Sequence, residues 1–274
     1  MSEPTLGVMS FNVRGSFRDL ATRNAWPNRA AANVAVIERH APDLVGLQEC
    51  QRGNLSAYRR RLPGYGILKG PKYGNAPPHD FNAILFDPQT LQLVESGGFW
   101  LSETPHKPSR SWGTRVARSA NWALFRTEAG LLLHLNTHLD HKSPPARRNA
   151  SALIVEKANE LLRHHGLETP AIVTGDFNAR PGSSTHENFT SGGFADTFLA
   201  AGSGDTRDAN TFHAFKGDRY RDPKPRRAPR RIDWILLKDP AGRLRLVSHE
   251  ILHDKTASPP YPSDHYPILA TFAQ

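Results

Sequence analysis

Asp176 and Asn178 place a carboxylate and an amide two residues apart, directly after the apolar run at residues 171–173. The run predicts a short buried strand, and Gly175 indicates a place where the backbone turns or approaches something closely. If the backbone between them is extended, the two side chains point the same way. A carboxylate that accepts a proton or faces a metal, beside an amide that donates to an oxyanion, suits phosphate-ester chemistry. Asp-x-Asn is also common in turns, so the pair gains weight only from the rest of the chain.

Further acidic, amide and imidazole groups stand at the ends of predicted strands. They are Asn12, Glu49, Asp80, His138, Asp233, Asp264 and His265. Each of them alone is commonly a turn former, a solvated loop residue or a structural histidine. A carboxylate such as Glu49, just past an apolar strand, is also where a hard cation finds an oxygen ligand. Their shared placement is typical of ligand sites at strand ends in α/β sheets.

Apolar runs and helical periodicity predict the elements that position these groups. Strands are predicted at residues 6–11, 43–48, 81–86, 91–100, 121–126, 131–137, 171–173, 232–237, 245–252 and 268–272. Helices are predicted at residues 28–40 and 51–62, and from Pro144 or Pro145 to about residue 165. Several strands are joined by hairpins, one of them turning at residues 128–130, so we expect mixed sheets covered by helices.

The chain of 274 residues is expected to form one domain over residues 1–274, since 38% hydrophobic residues are enough for a sizeable core. We find no apolar run near the roughly 20 residues of a membrane span, and no signal peptide. The single Cys50 excludes an intrachain disulfide, which favours a cytoplasmic protein. There is no zinc pattern, glycine-rich phosphate loop or Gly-x-Ser-x-Gly motif. We expect a monomer.

The formal net charge of +9 favours a polyanionic partner, with nucleic acid the first candidate, although a solvated arginine-rich surface explains the same number. The most basic segment is residues 216–231, where prolines exclude a helix and a flexible loop is predicted. This segment either grips a phosphate backbone or is a soluble insertion. A long irregular loop is predicted at residues 101–118, and such loops tend to build sites.

The residues at the strand ends resemble those of the endonuclease/exonuclease/phosphatase superfamily. The matching stretches are Ser10-Phe11-Asn12, Leu47-Gln48-Glu49, Thr137-His138, Gly175-Asp176-Phe177-Asn178, Arg231-Ile232-Asp233 and Ser263-Asp264-His265. The resemblance runs in order over residues 6–272. It implies a four-layered α/β sandwich, with two mixed sheets packed face to face and helices outside. It also implies one or two Mg²⁺ or Mn²⁺ ions and in-line attack of water on phosphorus.

By this resemblance Glu49 is the main metal ligand, and Asn12 and Asp264 are its neighbours in the metal cluster. Mg²⁺ keeps several of its waters, so one Glu and one Asp are enough carboxylates for it. A divalent cation, together with imidazolium or amide donors, neutralises the charge that grows on a phosphate ester in the transition state.

The resemblance also implies the catalytic groups. Asp176 orients the attacking water or protonates the leaving group, and Asn178 donates to a phosphate oxygen. His265, supported by Asp233, acts on the scissile phosphate. An Asp–His pair fixes the imidazole tautomer and raises its basicity.

A second histidine facing the phosphate is expected at His138, paired with Asp80. Two positions depart from the superfamily pattern. Apurinic endonucleases usually carry an Asp two residues after the first Asn, where this chain has Arg14, and Asp80 stands where a Glu is expected. Both departures argue against a DNA-repair specificity.

A bacterial branch of the superfamily gives a closer resemblance. It shares residues 99–105 (Phe-Trp-Leu-Ser-Glu-Thr-Pro), residues 137–141 (Thr-His-Leu-Asp-His) and residues 211–213 (Thr-Phe-His). Members of this branch resemble generic metal-dependent phosphohydrolases. The resemblance makes Arg118, His141 and Arg147 candidate contacts of the substrate phosphate; the alternative is that these residues hold the long loop in place.

Three functions fit these observations. The first choice is a metal-dependent phosphodiesterase or nuclease, which the net charge and the basic segment favour. The alternative is a phosphatase acting on a small phosphorylated sugar, inositol or lipid headgroup, which is supported by the lack of an aromatic stacking stripe and of a DNA-repair signature. A catalytically silent binding module on the same fold is disfavoured by the intact set of ionisable residues.

Overall fold

The computed structural model describes residues 4–74, 76–206, 208–222, 230–255 and 261–274. The strands are β1 Thr5–Asn12, β2 Leu44–Gln48, β3 Gly66–Leu68, β4 Lys72–Tyr73, β5 Asp80–Phe81, β6 Ile84–Phe86, β7 Gln92–Trp100, β8 Ser119–Thr127, β9 Gly130–His138, β10 Ala171–Asp176, β11 Ala195–Asp196, β12 Asp233–Lys238, β13 Arg245–Ile251 and β14 Ile268–Ala273. The α-helices are α1 Trp26–His40, α2 Arg52–Arg61, α3 Pro144–His165, α4 Ser184–Ser191 and α5 Thr197–Ala200. None of these helices is both long enough and apolar enough to cross a bilayer.

Two mixed sheets carry the fold. The first has the strand order β13-β14-β1-β2-β6-β3 and the second the order β11-β12-β10-β9-β8-β7. Each contains one parallel pair, β1 with β2 and β9 with β10, and the strands flanking each pair are antiparallel to it. The antiparallel neighbours β12 and β14 therefore begin at the edge where the parallel strands end. This topology gathers side chains from both kinds of strand at one edge of each sheet.

The layers follow from the apolar faces of the strands. Side chains such as Val8, Phe125, Ile172 and Ile235 fill the space between the two sheets. Helices α1 and α2 pack on the outer face of the first sheet, and α3 and α4 on the outer face of the second. The predicted four-layered α/β sandwich with two mixed sheets and helices outside is confirmed.

Polar groups join the sheets beneath the strand ends. Gln48 Nε2 donates to Asn136 Oδ1 at 2.8 Å, and Thr174 Oγ1 donates to the same oxygen at 3.2 Å. Gly46 faces this network, and a Cβ atom at that position would lie 2.1 Å from Thr174 Oγ1. The missing side chain thus lets the two sheets approach closely at this point.

The structure corrects one predicted strand. Residues 81–86 do not form a single strand, because the chain leaves the pairing at Asn82 and Ala83. Asn82 Nδ2 donates to the Ser119 carbonyl oxygen at 2.6 Å, while the Ala83 carbonyl oxygen accepts a hydrogen bond from Leu47 N–H at 2.8 Å. The segment is divided into β5 and β6 as a result.

Gly175 does not end its strand, which continues to Asp176. A Cβ atom on Gly175 would lie 2.6 Å from the carbonyl oxygen of Thr137 in the neighbouring strand. Of the two roles considered for this glycine, the close approach of two backbones is therefore the one that the structure contains.

Candidate active site

The strand register brings the predicted residues together. His138 ends β9, Asp176 ends β10 and Asp233 begins β12, and the register pairs Asp176 with both of the other two. From the first sheet, Asn12 Nδ2 donates to Asp176 Oδ2 at 3.0 Å and lies 3.4 Å from Glu49 Oε1. The two sheets thus contribute to a single cluster of acidic, amide and imidazole groups.

A cavity of about 400 Å³ opens over this cluster. Nine of the twelve predicted site residues line it, and the exceptions are Asn12, Asp233 and Arg147. Asn12 and Asp233 are buried directly behind its wall, at 0% and 1% exposure. Arg147 instead donates from Nη1 to the carbonyl oxygen of Asp140 at 2.8 Å, so its contact is with the loop backbone.

Glu49 offers an oxygen suited to a cation. Its Oε2 atom is buried and has no hydrogen-bond partner among the described residues. Burial opposes its ionisation, but the positive charges of Arg14 and Arg18 outweigh that effect and lower the pKa of Glu49. The residue adopts a left-handed backbone conformation, with φ of 55°, which is uncommon for a glutamate and recurs at functional sites.

Asp264 and Asn12 lie beside Glu49 and complete an oxygen-rich donor set. Burial raises the pKa of Asp264, whose Oδ2 atom lies 3.5 Å from Arg14 Nη1. Asn12 Oδ1 accepts the backbone N–H of Arg14 at 3.1 Å and keeps a second lone pair. Two carboxylates and an amide oxygen are ligands that Mg²⁺ and Mn²⁺ accept, so the residues present fit a hard cation.

A buried acidic–histidine cluster joins Asp176 and Asp233 of the second sheet to His265, which precedes β14 of the first sheet. Asp176, Asp233 and His265 each bring one potential ligand atom to within 4.8 Å of the other two. His265 Nδ1 lies 2.9 Å from Asp233 Oδ2, which confirms the predicted pairing, and His265 Nε2 lies 3.8 Å from Asp176 Oδ2. Because Nδ1 is engaged with a carboxylate, we interpret this cluster as a proton-handling group and the Glu49 set as the cation site.

The charges of this cluster are set by burial and by each other. Burial would lower the pKa of His265, but Asp233 outweighs it and raises the pKa to about 10, which favours the imidazolium form. Burial and the charge of Asp233 raise the pKa of Asp176 to about 7. Asp176 can therefore hold or release a proton near neutral pH, which suits both of the roles expected for it.

Asp176 and Asn178 both line the cavity, although not through an extended backbone. Asn178 adopts a left-handed conformation with φ of 49°. Its backbone N–H donates to Asp176 Oδ1 at 2.9 Å, so the two residues form a turn. The shared direction of the side chains was predicted, but the reason given for it was wrong.

Asp80 does not pair with His138, contrary to the prediction. Its carboxylate accepts a hydrogen bond from Gln51 Nε2 at 2.6 Å and lies 3.4 Å from Arg18 Nη2. Within the small β4–β5 ribbon it is Tyr73, the strand partner of Asp80, that contacts His138 instead. Burial and the charge of Glu49 raise the pKa of Asp80 to about 6.

His138 has other partners. Its Nδ1 atom lies 3.3 Å from the Tyr73 hydroxyl, and its Nε2 atom accepts from the side-chain nitrogen of Asn178 at 3.0 Å. Burial holds the pKa of His138 well below its ordinary value, which keeps the ring neutral. Since Asn178 also donates to the Leu139 carbonyl oxygen at 3.1 Å, its predicted donation to a phosphate oxygen requires one of these bonds to break.

Arg118 brings a cation to the cavity wall. Its guanidinium lies 5.6 Å from the centre of the Tyr73 ring, and its Nη2 atom lies 3.3 Å from His141 Nδ1. The Nε atom is buried and has no hydrogen-bond partner within the described ranges. Burial and the charge of Arg118 lower the pKa of His141. Arg118 therefore places a positive charge, without a carboxylate partner among the described residues, at the wall of the cavity.

Several lining residues escaped the sequence analysis because they reach the cavity from loops. They are Arg14, Arg18, Val116, Phe212, Arg230 and Ile232. Arg230 stacks on Phe212, with 4.2 Å between the guanidinium carbon and the ring centre, and Phe212 in turn contacts the edge of the His265 ring. The motif at residues 211–213 was the available signal for Phe212.

The basic segment at residues 216–231 has more than one role. Residues 223–229 of the predicted loop lie outside the described residues. Arg230 lines the cavity, whereas Arg231 is 1% exposed. Arg231 pairs with Asp196 at 2.8 Å and with Asp205 at 2.6 Å. The prediction of a flexible loop is therefore wrong for Arg231, because two carboxylates hold its guanidinium in the interior.

The comparison with known proteins agrees with this geometry. Residues 9–265 match the profile of the Endonuclease/Exonuclease/phosphatase family, and the chain belongs to this family. A family member from Bacteroides thetaiotaomicron is 28% identical, with a TM-score of 0.85 over 99% of this chain and 98% of that one. A mannosyl-6-phosphatase from the same organism is 29% identical, with a TM-score of 0.85 over 98% of this chain and 100% of that one.

Two further matches are more distant, one in fold and one in part of the sequence. D. rerio TDP2, in complex with a single-strand DNA product, has the same fold at 19% identity, with a TM-score of 0.75 over 98% of this chain and 99% of that one. Uncharacterized protein L388 of Acanthamoeba polyphaga mimivirus is 26% identical over 113 residues, which are 39% of this chain and 41% of the viral protein. Family membership and the phosphatase relative together support hydrolysis of phosphate esters.

Proposed function

We propose that the protein is a divalent-metal-dependent phosphatase that hydrolyses a phosphate monoester of a small polar alcohol, such as a sugar phosphate. The observation that carries the proposal is the cavity of about 400 Å³, which holds both the Asp176–His265 pair and Arg118. Arg118 has no carboxylate partner among the described residues, so its charge is available to a dianionic monoester. The similarity to a mannosyl-6-phosphatase supports this substrate class.

Glu49, Asp264 and Asn12 are the residues that would hold the cation, one ion or two. A bound Mg²⁺ or Mn²⁺ supplies charge neutralisation to the phosphate oxygens. The chain itself supplies the other groups needed around the phosphate.

His265 is kept charged by Asp233 and donates from Nε2 to a phosphate oxygen. Asp176, with a pKa of about 7, takes the proton of the attacking water or gives a proton to the leaving alcohol. Arg118 and His141, which also line the cavity, bind the remaining oxygens. The neutral His138 orients Asn178, whose side-chain nitrogen donates to its Nε2 atom.

A phosphodiesterase or nuclease is the second candidate, and the formal net charge of +9 favours it. A diester carries one charge less on the reacting phosphate than a monoester dianion and therefore needs fewer cationic contacts. The two candidate functions share the same cation site and the same acid–base groups, so they are distinguished by which phosphate ester is hydrolysed.

The test is a set of initial-rate measurements with p-nitrophenyl phosphate, mannose 6-phosphate, bis-p-nitrophenyl phosphate and a plasmid. Each is run with Mg²⁺, with Mn²⁺ and with a chelator, and His265→Ala serves as the inactive control. Metal-dependent release of phosphate from the monoesters is the expected result. Cleavage confined to the diester or the plasmid would replace the proposal with the second candidate.

The cytoplasmic location and the monomeric state stay predictions. The single Cys50 is buried, in keeping with a chain that uses no disulfide. Size-exclusion chromatography with light scattering would measure the oligomeric state.

A further inference from the structure

A second cavity, of about 700 Å³, lies beside the candidate active site. The two cavities share a wall, because Arg18 and Asp80 line the first whereas their chain neighbours Phe17 and Phe81 line the second. The ion pair of Arg18 with Asp80, at 3.4 Å, stands in this wall. The two cavities are therefore neighbours, separated by this ion pair.

The second cavity is lined by cations. Its ionisable lining residues are Arg52, Lys69, Lys72 and His79, and none of them is a carboxylate. Within the described ranges, Arg52, Lys69 and Lys72 form no ion pair with an acidic residue. His79 Nδ1 is buried there and has no hydrogen-bond partner among the described residues. Uncompensated cations beside an unpaired imidazole nitrogen suit an anionic ligand.

The backbone that carries the two lysines is held in place. Asn121 Nδ2 donates to the carbonyl oxygen of the residue before Lys69 at 3.2 Å. Gly70 has φ of 70°, and a Cβ atom there would lie 2.4 Å from the side-chain carbon of Asn121, so the glycine permits this contact. Lys72 is paired within β4 of the small ribbon. The backbone at Lys69 and Lys72 is therefore fixed by hydrogen bonds and strand pairing.

Apolar and aromatic surfaces form the rest of the lining. Phe17 is 51% exposed and lines the cavity, and Pro77 and Pro78 add flat apolar surface. Lys69 Nζ lies 5.0 Å from the centre of the Phe81 ring. An exposed ring next to cations recognises a planar ring that carries an anionic group.

We propose that this second cavity binds the part of the substrate beyond the scissile phosphate, and that this part is a nucleotide unit with a planar ring and a further phosphate. The inference rests on the proposed phosphatase function of the neighbouring site. The same chemistry is offered by a free nucleoside bisphosphate and by the end of a single strand. The ring stacks on Phe17, and the further phosphate is bound by Lys69 and Lys72.

Binding is measured by calorimetry in the His265→Ala background with Mg²⁺, so that turnover does not interfere. The probes are adenosine 3′,5′-bisphosphate, inorganic phosphate and a 5′-phosphorylated tetradeoxynucleotide. We expect Lys69→Ala/Lys72→Ala to weaken binding of the bisphosphate about tenfold, and Phe17→Ala to weaken it severalfold, since stacking contributes about 1–3 kcal/mol per base. Binding of inorganic phosphate in the first cavity, which neither lysine lines, should stay unchanged.

The matched control is Arg61→Ala/Lys107→Ala, which removes two exposed cations outside both linings and therefore reproduces the change in net charge. It should alter binding of the bisphosphate less than twofold. The proposal would be overturned if the Lys69→Ala/Lys72→Ala variant bound the bisphosphate as tightly as the His265→Ala protein does. It would also be overturned if the control lost as much affinity for the bisphosphate as the lysine variant.

The oligonucleotide distinguishes a free nucleotide from the end of a single strand as the source of the nucleotide unit. Tighter binding of the tetranucleotide than of the bisphosphate, lost in the lysine variant, supports a strand end, and the reverse order supports a free nucleotide. If the wild-type protein hydrolyses no monoester while this lysine-dependent binding persists, the proposed function fails and the subsite stands. If p-nitrophenyl phosphate is hydrolysed but the lysine variant binds the bisphosphate normally, the subsite alone fails.

Discussion

His265 and Asp233 are joined by a hydrogen bond of 2.9 Å between Nδ1 and Oδ2, and both side chains are almost fully buried. The two residues meet because β12 begins at Asp233, while His265 lies just ahead of β14. Burial alone would lower the pKa of His265, yet Asp233 raises it to about 10. The imidazolium form is therefore favoured through the neutral range, and Asp233 maintains a fixed positive charge in the cavity.

Asp233→Asn should move the basic limb of the pH–rate profile to lower pH. In the wild type His265 stays protonated below about pH 10, whereas without the Asp233 carboxylate its pKa falls, with Asp176 and Asp264 still raising it. Each unit by which this pKa falls below 8.5 lowers the protonated fraction at pH 8.5, and kcat with it, about tenfold. Rates measured from pH 5 to pH 10 would show this, and an unshifted limb would mean that His265 does not act as a cation.

Glu49→Gln should weaken binding of Mn²⁺ by at least about tenfold while leaving the fold intact. The reason is that Oε2 of Glu49 is buried and has no hydrogen-bond partner among the described residues, so that the neutral amide removes the charge at the cost of only a 4.0 Å ion pair with the half-exposed Arg18. Calorimetric titration with Mn²⁺ measures the affinity, and circular dichroism checks the fold. Glu103→Gln, an exposed control, should bind Mn²⁺ like the wild type; full activity of the Glu49 variant would refute the metal role.

The strand-end residues could be predicted because apolar runs reveal where buried strands stop. Asn12, Glu49, His138 and Asp176 all lie at such points, and a parallel pair in each sheet brings them to one edge. The position of Asp233 follows only if β12 is known to run antiparallel to β10, because an antiparallel strand places its first residue, not its last, at that edge.

Pairing partners were harder to predict than positions. The Asp80–His138 pair was wrong because β4 and β5 are two-residue strands, too short to leave a periodic pattern in the sequence. Tyr73, on that ribbon, contacts His138 instead. The burial of Arg231 depends on two carboxylates distant in the chain, which composition does not reveal.

Thr211→Val should reduce kcat through the position of Asp233. Thr211 Oγ1 accepts backbone N–H groups of Ile232 at 3.0 Å and Asp233 at 3.2 Å, while the Thr211 carbonyl oxygen accepts from Tyr266 N–H at 2.7 Å. The residue thereby connects the segments that carry Asp233 and His265. Valine leaves two buried donors unpaired, at a cost of about 1–3 kcal/mol each in the free energy of unfolding.

The readout for Thr211 is the pH–rate profile together with urea unfolding. A positioning role predicts that the basic limb moves to lower pH, by less than in Asp233→Asn. Thr211→Ser, which keeps the acceptor oxygen, should restore the wild-type limb. Loss of stability with an unchanged limb would show that Thr211 is only structural.

Arg118→Ala should raise KM for a monoester more than for a diester. The guanidinium lies over the Tyr73 ring and next to His141, with no carboxylate partner in the described part of the chain, so its charge is directed at the substrate. A monoester dianion loses more from its removal, on the order of tenfold in KM for each charge-assisted contact of about 1.5–3 kcal/mol. The test is to measure KM for p-nitrophenyl phosphate and for bis-p-nitrophenyl phosphate in this variant and in an Arg115→Ala control at an exposed position. An equal rise of KM for both esters would favour the diesterase.

His134 should make the protein lose stability in mild acid. It is fully buried, its Nε2 atom lies 2.9 Å from Thr174 Oγ1, and burial lowers its pKa to about 3. The unfolded chain, with a pKa near 6.5, binds a proton that the folded protein excludes, so stability falls as the pH drops from about 6.5 to about 3.

At pH 5 this difference corresponds to roughly 2 kcal/mol for the one histidine. Urea unfolding of the wild type and His134→Gln at pH 7.5 and pH 5 isolates it, because His213 and His249, whose pKa values burial also lowers, are present in both proteins. The glutamine variant does not titrate and should lose about 2 kcal/mol less between the two pH values. Equal losses would mean that His134 takes up its proton without unfolding, and that the polar layer between the sheets accommodates the charge.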